Sequence, residues 1–398
     1  MDLQKRNEIL KRILEVVELP DSAYEKTVKR YSDVSEWLNR SESKSKDFDP
    51  HIFPQGSFSL GTAIKPINEN EEYDLDIACK LRKGITKSTY TQFQLKSLVG
   101  AELELYRIAR QIQSPCIEKH RCWRLAYKDE LSFHMDIVPG IPETEIGRNL
   151  IFEALQRSGE SIAVASEIVK MSMAITDDRM PQYKEISDDW EISNPEGYSY
   201  WFQMKMKNTL NEGRIVEDAK VDNLPIYKRK TPLQRSIQFL KRHRDQWCVG
   251  LENCKPISII ITTLAAEAYE GQQDLYSALN GILTNMGNYV NPTEPRVPNP
   301  TNPSEDFADK WNTSEGKKLQ LEKNFWSWLK QAQIDFESIC TDTNVNNMQA
   351  ILESRYNVFF KPDTIAEITG STTAMLLQPT TIKINNKAEY SKPWLCTH

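Results

Sequence analysis

One nine-residue stretch constrains this chain more than any other. Tyr73-Asp74-Leu75-Asp76-Ile77-Ala78-Cys79-Lys80-Leu81 alternates polar and apolar residues at its start and reads as a β-strand. Successive side chains of a strand face opposite sides. Asp74 and Asp76 therefore share one face, while Leu75 and Ile77 point into a core. The two carboxylates would stand about 7 Å apart along the strand and repel each other. Without a cation that pair serves no structural purpose. A hard divalent cation such as Mg²⁺, which prefers carboxylate and phosphate oxygens, resolves the repulsion.

A third carboxylate follows in Phe133-His134-Met135-Asp136-Ile137-Val138. On a strand, Phe133, Met135 and Ile137 share one face, and His134, Asp136 and Val138 share the other. Asp136 occupies a position that a strand would rather fill with valine. Three carboxylates on adjacent strands make a two-metal site for in-line phosphoryl transfer. One ion would hold a nucleoside triphosphate. The other would lower the pKa of an attacking hydroxyl, with Asp136 as ligand or base. Seventeen residues before Asp74 comes Ser57, preceded by Gly56. A glycine lets backbone approach a phosphate, and a serine hydroxyl with N–H groups at a helix start can donate to its oxygens. Each piece alone is commonplace: a Gly-Ser pair is mostly a turn, and an Asp-x-Asp pair is usually a solvated strand edge. The series is far more specific.

The rest of the chain is read around this feature. Helical spacing is predicted over 3–19, 21–42 and 89–113, and two strands over 123–126 and 131–138, joined by a turn at 127–130 and ended by Pro139, Gly140 and Pro142. From about 195 the patterns are helical: 198–210, 232–244, 256–270, 273–288, 307–339 and 345–356. The stretch 291–307 holds five prolines, which bar a regular helix or a central strand. The tail from Asp363 shows no clear period. The expected architecture is mixed α/β: residues 1–195 carry N-terminal helices and a sheet-bearing core, and residues 196–398 form an α-helical lobe.

The chain has 398 residues and a formal net charge of −6, which argues against tight nonspecific binding of duplex DNA. Seven scattered cysteines without a CxxC argue against a disulfide framework and fit a reducing cytoplasm. Cys248, Cys254 and His243 could be read as a metal knuckle, but their spacing matches no zinc pattern. No segment approaches the roughly 18 apolar residues of a membrane span, and MDLQKRNEIL is too charged for a signal peptide. A cytoplasmic protein is expected.

Gly56-Ser57 with Asp74 and Asp76 resembles the signature of the DNA polymerase β-like nucleotidyltransferases. The fuller series PQGSFSLGT, EEYDLDIACKL, HMDIVPGI, SNPEGYSYWF, LQRSIQFLKRHRD, PISIIITTLAAEAY and VPNPTNPSEDFADKW resembles the bacterial cGAS/DncV-like nucleotidyltransferases (CD-NTases). The resemblance implies a nucleotidyltransferase core with a mixed sheet and a C-terminal helical lobe, with the active site in the cleft between them. It implies synthesis of a cyclic di- or trinucleotide from NTPs, ATP among them, in anti-phage defence operons. Carried over by position, Asp74, Asp76 and Asp136 would hold two Mg²⁺ ions, for which Mn²⁺ can substitute. Gly56 and Ser57 would touch the donor triphosphate. Lys241 would reach its β- and γ-phosphates, and Ser258, at the start of a helix after Pro256, would meet the phosphates as well. Gln55 would serve the acceptor nucleotide, and Tyr200 would stack on a base. For Lys241 the competing reading is a solvated face beside Arg242 and Arg244; for Ser258 it is a helix cap.

Some features of related enzymes are missing. There is no cluster of one His and three Cys of the kind the animal DNA sensor of this superfamily needs. Lys228-Arg229-Lys230 reads most simply as a solvated loop, and the chain ends Pro393-Trp394-Leu395-Cys396-Thr397-His398 without the terminal Gly associated with conjugation. A monomer is expected, controlled by an operon-encoded protein or a phage-derived activator. The rival readings are a linear oligonucleotide or RNA-tailing nucleotidyltransferase of the oligoadenylate synthetase kind, and a non-catalytic nucleotide-binding protein. The second is disfavoured because all three carboxylates are present.

Overall fold

A computed structural model describes residues 1–68, 72–128, 133–206 and 230–370. The expected turn residues Asp129 and Glu130, the basic pair Lys228-Arg229, and everything beyond Gly370, Cys396 included, lie outside them.

Two helices open the chain, α1 (Leu3–Val17) and α2 (Asp21–Asn39). Asp2 caps α1 by accepting from the Lys5 N–H at 2.9 Å, and Ile9, Leu10, Ile13, Leu14 and Val17 form its buried stripe. Pro20 separates the two helices and sits at the N-cap of α2.

The chain divides into two compact units, residues 19–229 with 300–304, and residues 1–18 with 230–299 and 305–398. This differs from the expected division at 195 in three ways, the smallest being that residues 300–304 belong with the sheet unit. Helix α1 belongs with the helical unit, because its apolar stripe packs on helices of that unit. The helix beginning at Pro195 belongs with the sheet unit, for reasons given below.

The sheet unit holds seven strands: β1 (Pro50–Pro54), β2 (Tyr73–Leu81), β3 (Ile117–Glu118), β4 (Trp123–Tyr127), β5 (Phe133–Pro142), β6 (Met173–Ile175) and β7 (Glu191–Ser193). The order is β1-β2-β5-β4-β3, with β6 pairing β5 and β7 pairing β6. Among the described strands of this sheet only β2 and β5 run parallel, in a register that sets Asp76 opposite Asp136 and Asp74 opposite His134. Strand β5 does not stop at Pro139 as expected. Its first half pairs with β4 as far as Ile137, and its second half pairs with β6 from Gly140. Pro139 falls between the two antiparallel partners, where a missing N–H on that side costs no ladder bond.

Among the described residues this unit has five further helices: α3 (Gly56–Ser59), α4 (Gln92–Ala109), α5 (Glu145–Arg157), α6 (Ile162–Met171) and α7 (Pro195–Met206). Helix α4 starts at a capping box between Thr91 and Gln94. Leu75, Ile77, Cys79 and Leu81 face the main core, with Tyr31 and Leu38 of α2 and Leu95, Val99 and Leu103 of α4. The Tyr31 hydroxyl donates to the Ile52 carbonyl at 2.7 Å, which ties α2 to β1. On the other face of the sheet, Phe53, Ala78, Met173 and Ile175 form a smaller cluster. Helix α7 is fastened to this unit through Glu196, which accepts from Lys80 Nζ of β2 and lies 2.9 Å from His51 Nε2 of β1. Ser199 of α7 bonds Ser59 at 2.7 Å.

The helical unit contains α1, α8 (Pro232–Trp247), α9 (Ser258–Ala268), α10 (Leu275–Asn285), α11 (Ser314–Lys318), α12 (Leu321–Thr341), α13 (Val345–Tyr356) and α14 (Pro362–Thr369). A capping box between Thr231 and Gln234, with Pro232 just inside, starts α8. Helix α8 packs against α1, α9, α10, α12 and α13. This surround buries even its polar run: Lys241, Arg242, His243 and Arg244 are all buried, so the solvated-face reading of this stretch fails. The proline-rich stretch carries only the short strands Pro298–Asn299 and Asn302–Asp306. The tail, expected to lack a period, forms α14 before residue 370. No helix among the described residues is long and apolar enough to cross a membrane.

Candidate active site

Asp74 and Asp76 project from one face of β2, and Asp136 projects from the paired position on β5. One ligand oxygen from each of the three carboxylates lies within 4.8 Å of the others. They are the one group of three or more His, Cys, Asp or Glu residues among the described residues that converges this way. Burial first, and then the neighbouring charges of Asp74 and Asp136, push the Asp76 carboxyl up to about 7. This arrangement suits a bound cation. Three carboxylates held this close are electrostatically unfavourable, and the all-oxygen donor set suits a hard divalent ion such as Mg²⁺.

Two basic side chains sit against the triad. Arg124, opposite Asp136 across the β4–β5 ladder, donates from Nε to Asp136 Oδ1 and from Nη2 to Oδ2, both at 2.6 Å. This bidentate pair fixes the plane of the Asp136 carboxylate. His134 Nε2 lies 2.9 Å from Asp74 Oδ1, and its Nδ1 lies 3.1 Å from Glu72 Oε2. The hydrogen bond to Asp74 raises the imidazole pKa, with burial opposing. Burial and the nearby Asp136 charge push the Cys122 thiol up to about 12, so it stays protonated.

Gly56 completes the corner. Its φ is +64°, in the left-handed region, and a Cβ built there would lie 2.6 Å from Asp76 Oδ2. The position therefore needs glycine twice over, for its backbone and for room beside the carboxylate. The Gln55 N–H donates to the Asp76 carbonyl at 2.9 Å, which ties the turn to the carboxylate strand. Ser57 is half-buried in α3, whose residues pack against β2.

The other expected site residues lie on α7 and in the helical unit. Tyr200 on α7 packs its ring against Ile151, Leu155, Ala165 and Ile168 of α5 and α6. Lys241 and Ser258 belong to the helical unit. Ser258 is the first residue of α9 and not its cap, which is Ile257; its Oγ accepts from Arg244 Nη1 at 3.1 Å. The Cys248–Cys254–His243 knuckle does not converge among the described residues. His243 instead pairs with Asp335 at 2.9 Å, and both cysteines are buried.

Arg124, His134 and Glu72 are the site residues that the sequence pattern did not assign. His134 was visible on the face of Asp136. Arg124 needed the antiparallel register of β4 and β5, which no local pattern specifies.

The chain is similar to several known proteins. Residues 50–139 match a domain family described as "Cyclic GMP-AMP synthase DncV-like, nucleotidyltransferase domain". A c-di-GMP synthase of Roseivirga ehrenbergii is 30% identical over 337 residues, 83% of this chain and 78% of that protein. A cyclic GMP-AMP synthase of Escherichia coli (strain TW11681) is 27% identical over 248 residues, 60% of this chain and 51% of that protein. The fold is shared with the Bradyrhizobium diazoefficiens CD-NTase CdnG, solved in complex with GTP, at a TM-score of 0.61 and 19% identity, covering 94% of this chain and 100% of that one. The chain belongs to the cGAS/DncV-like nucleotidyltransferases, a family of cyclic dinucleotide synthases.

Proposed function

We propose that this chain is a Mg²⁺-dependent synthase that makes a cyclic di- or trinucleotide from NTPs in the cytoplasm, as a second messenger of anti-phage defence. The observation that carries the reading is the convergence of Asp74, Asp76 and Asp136 within 4.8 Å on a parallel strand pair. Guanine is common to the products named for the relatives, c-di-GMP and cyclic GMP-AMP, and supports GTP as one substrate. ATP is the other substrate proposed.

In this reading the three carboxylates hold two Mg²⁺ ions. Bound there, the cations neutralise the triphosphate and acidify the attacking hydroxyl. The remaining work falls to the chain's own groups. Gly56 leaves space for the donor phosphates, and Ser57 donates to their oxygens. Lys241 and Ser258 are assigned to the donor phosphates, Gln55 to the acceptor and Tyr200 to a base. Arg124 holds Asp136 in one orientation, so that Asp136 can take the proton of the acceptor hydroxyl. The acceptor ribose oxygen then bonds to the donor α-phosphorus, and the bond from that phosphorus to the bridging oxygen breaks, releasing pyrophosphate. A second transfer within the linear intermediate closes the ring. Positioning and electrostatics supply most of the rate. Control by an operon-encoded protein or a phage-derived activator is part of the proposal.

The test pairs activity with metal binding. Asp74→Asn with Asp76→Asn should abolish nucleotide turnover and calorimetric Mg²⁺ binding together, while far-UV circular dichroism stays unchanged. Retained turnover would refute the carboxylate assignment.

A further inference from the structure

Within the helical unit, α11, α12 and the turn between them border an open depression of about 680 Å³. Its lining includes Trp311, Lys317, Gln320, Lys323, Trp326 and Lys330. Gln320 joins the two helices with φ +53°, an uncommon conformation for a side-chain-bearing residue, which turns the chain and opens the concavity. The acidic member of the wall is Glu322, and its charge is already matched by an ion pair with Arg296. Glu322 Oε1 also accepts from the Trp326 indole N–H at 3.3 Å. The bond holds an exposed ring in place, 38% accessible, beside the depression. Lys317 and Lys330 are exposed, and neither has a carboxylate within ion-pair distance among the described residues. The chain as a whole carries net charge −6, so two unmatched cations beside a fixed indole are a local departure.

We propose that this depression is a second nucleotide site, in which Lys317 and Lys330 hold phosphate oxygens and the Trp326 ring stacks on one base. The volume is that of a small-molecule pocket. A single oriented indole suits one base, whereas binding a run of single-stranded nucleic acid takes a basic groove with successive stacking platforms. The site uses no residue assigned to catalysis, so it stands or fails apart from the proposed reaction.

Isothermal titration of the full chain with GTP in EDTA tests it. Without a divalent cation the carboxylate triad repels a triphosphate, and any GTP still held there through Lys241 is untouched by changes at Lys317, Trp326 and Lys330. Wild type should bind GTP, and Lys317→Ala with Lys330→Ala should weaken binding at least tenfold. Trp326→Ala should do the same, and inorganic tripolyphosphate, which cannot stack, should bind at least tenfold more weakly than GTP. Equal GTP affinity in wild type and the double-lysine variant, or no binding by wild type, overturns the site. Tripolyphosphate binding as tightly as GTP overturns the nucleotide class. Photolabelling of the unaltered chain with an azido-purine nucleotide gives a readout independent of variant folding. Label on residues 324–330 is expected, and label confined to other peptides contradicts the proposal.

Discussion

Replacing Gly56 with alanine perturbs the site at its tightest point. The residue sits at φ +64°, where a Cβ costs about 1–2 kcal/mol. The new methyl carbon would also lie 2.6 Å from Asp76 Oδ2, against 3.4–4 Å for ordinary contact. The carboxylate must therefore retreat by roughly 1 Å, a displacement that can cost about 10²-fold in rate when it moves a reacting geometry. Stability should fall by about 1–2 kcal/mol, too little to unfold a domain of ordinary stability of about 5–15 kcal/mol. Turnover should fall by about 100-fold, and Mg²⁺ affinity should drop with it. Gly159→Ala is the control. That glycine has φ +91° and nothing within 4 Å of its Cβ position, so it should lose comparable stability and keep full turnover. Urea denaturation, Mg²⁺ calorimetry and product formation read the three quantities. A Gly56→Ala variant with wild-type turnover and metal affinity would refute the claim that this glycine makes room for the Asp76 carboxylate.

The remaining predictions concern groups around the site and in the helical core. Arg124→Gln removes two charge-assisted bonds to Asp136 and should destabilise the metal-free protein by about 1–2 kcal/mol; millimolar Mg²⁺ should recover most of the loss in a thermal melt. Glu196→Ala strands Lys80 in a largely buried place and should cost about 2–4 kcal/mol by urea denaturation, and a loss below 1 kcal/mol would remove the anchoring role given to this carboxylate. Burial lowers the His243 pKa, with its Asp335 hydrogen bond opposing. A depressed imidazole is neutral in the fold, so its stabilising contribution is whole above about pH 6.5 and is lost as pH falls below that value. The melting temperature should drop between pH 6.5 and 5, and His243→Gln should flatten that limb.

The carboxylate strand was the most legible element. The first half of β2 buries one face and leaves the other more open, so Tyr73–Ile77 alternates, and its observed limits, Tyr73–Leu81, are those read from the sequence. Helix 345–356 was equally plain, because its apolar side is presented to neighbouring helices while the rest stays wet. Strand β1 was hidden: all five of its residues are buried, so no alternation appears, and its two prolines are tolerated because it is an edge strand. The burial of the polar run of α8 was illegible for the opposite reason. Its charges are enclosed by surrounding helices, and enclosure by distant segments leaves no local mark. Arg124 was missed on the same principle, since its meaning comes from a strand register fixed only when the sheet forms.

What the protein makes is the most direct measure of its function. Purified full chain should be incubated with all four NTPs and Mg²⁺, labelled one nucleotide at a time, and the phosphatase-treated products resolved by chromatography and mass spectrometry. A phosphatase-resistant product with the mass of a cyclised di- or trinucleotide, absent from the Asp74→Asn/Asp76→Asn variant, is the expected result. Linear products that phosphatase degrades, or equal product from that variant, would contradict it.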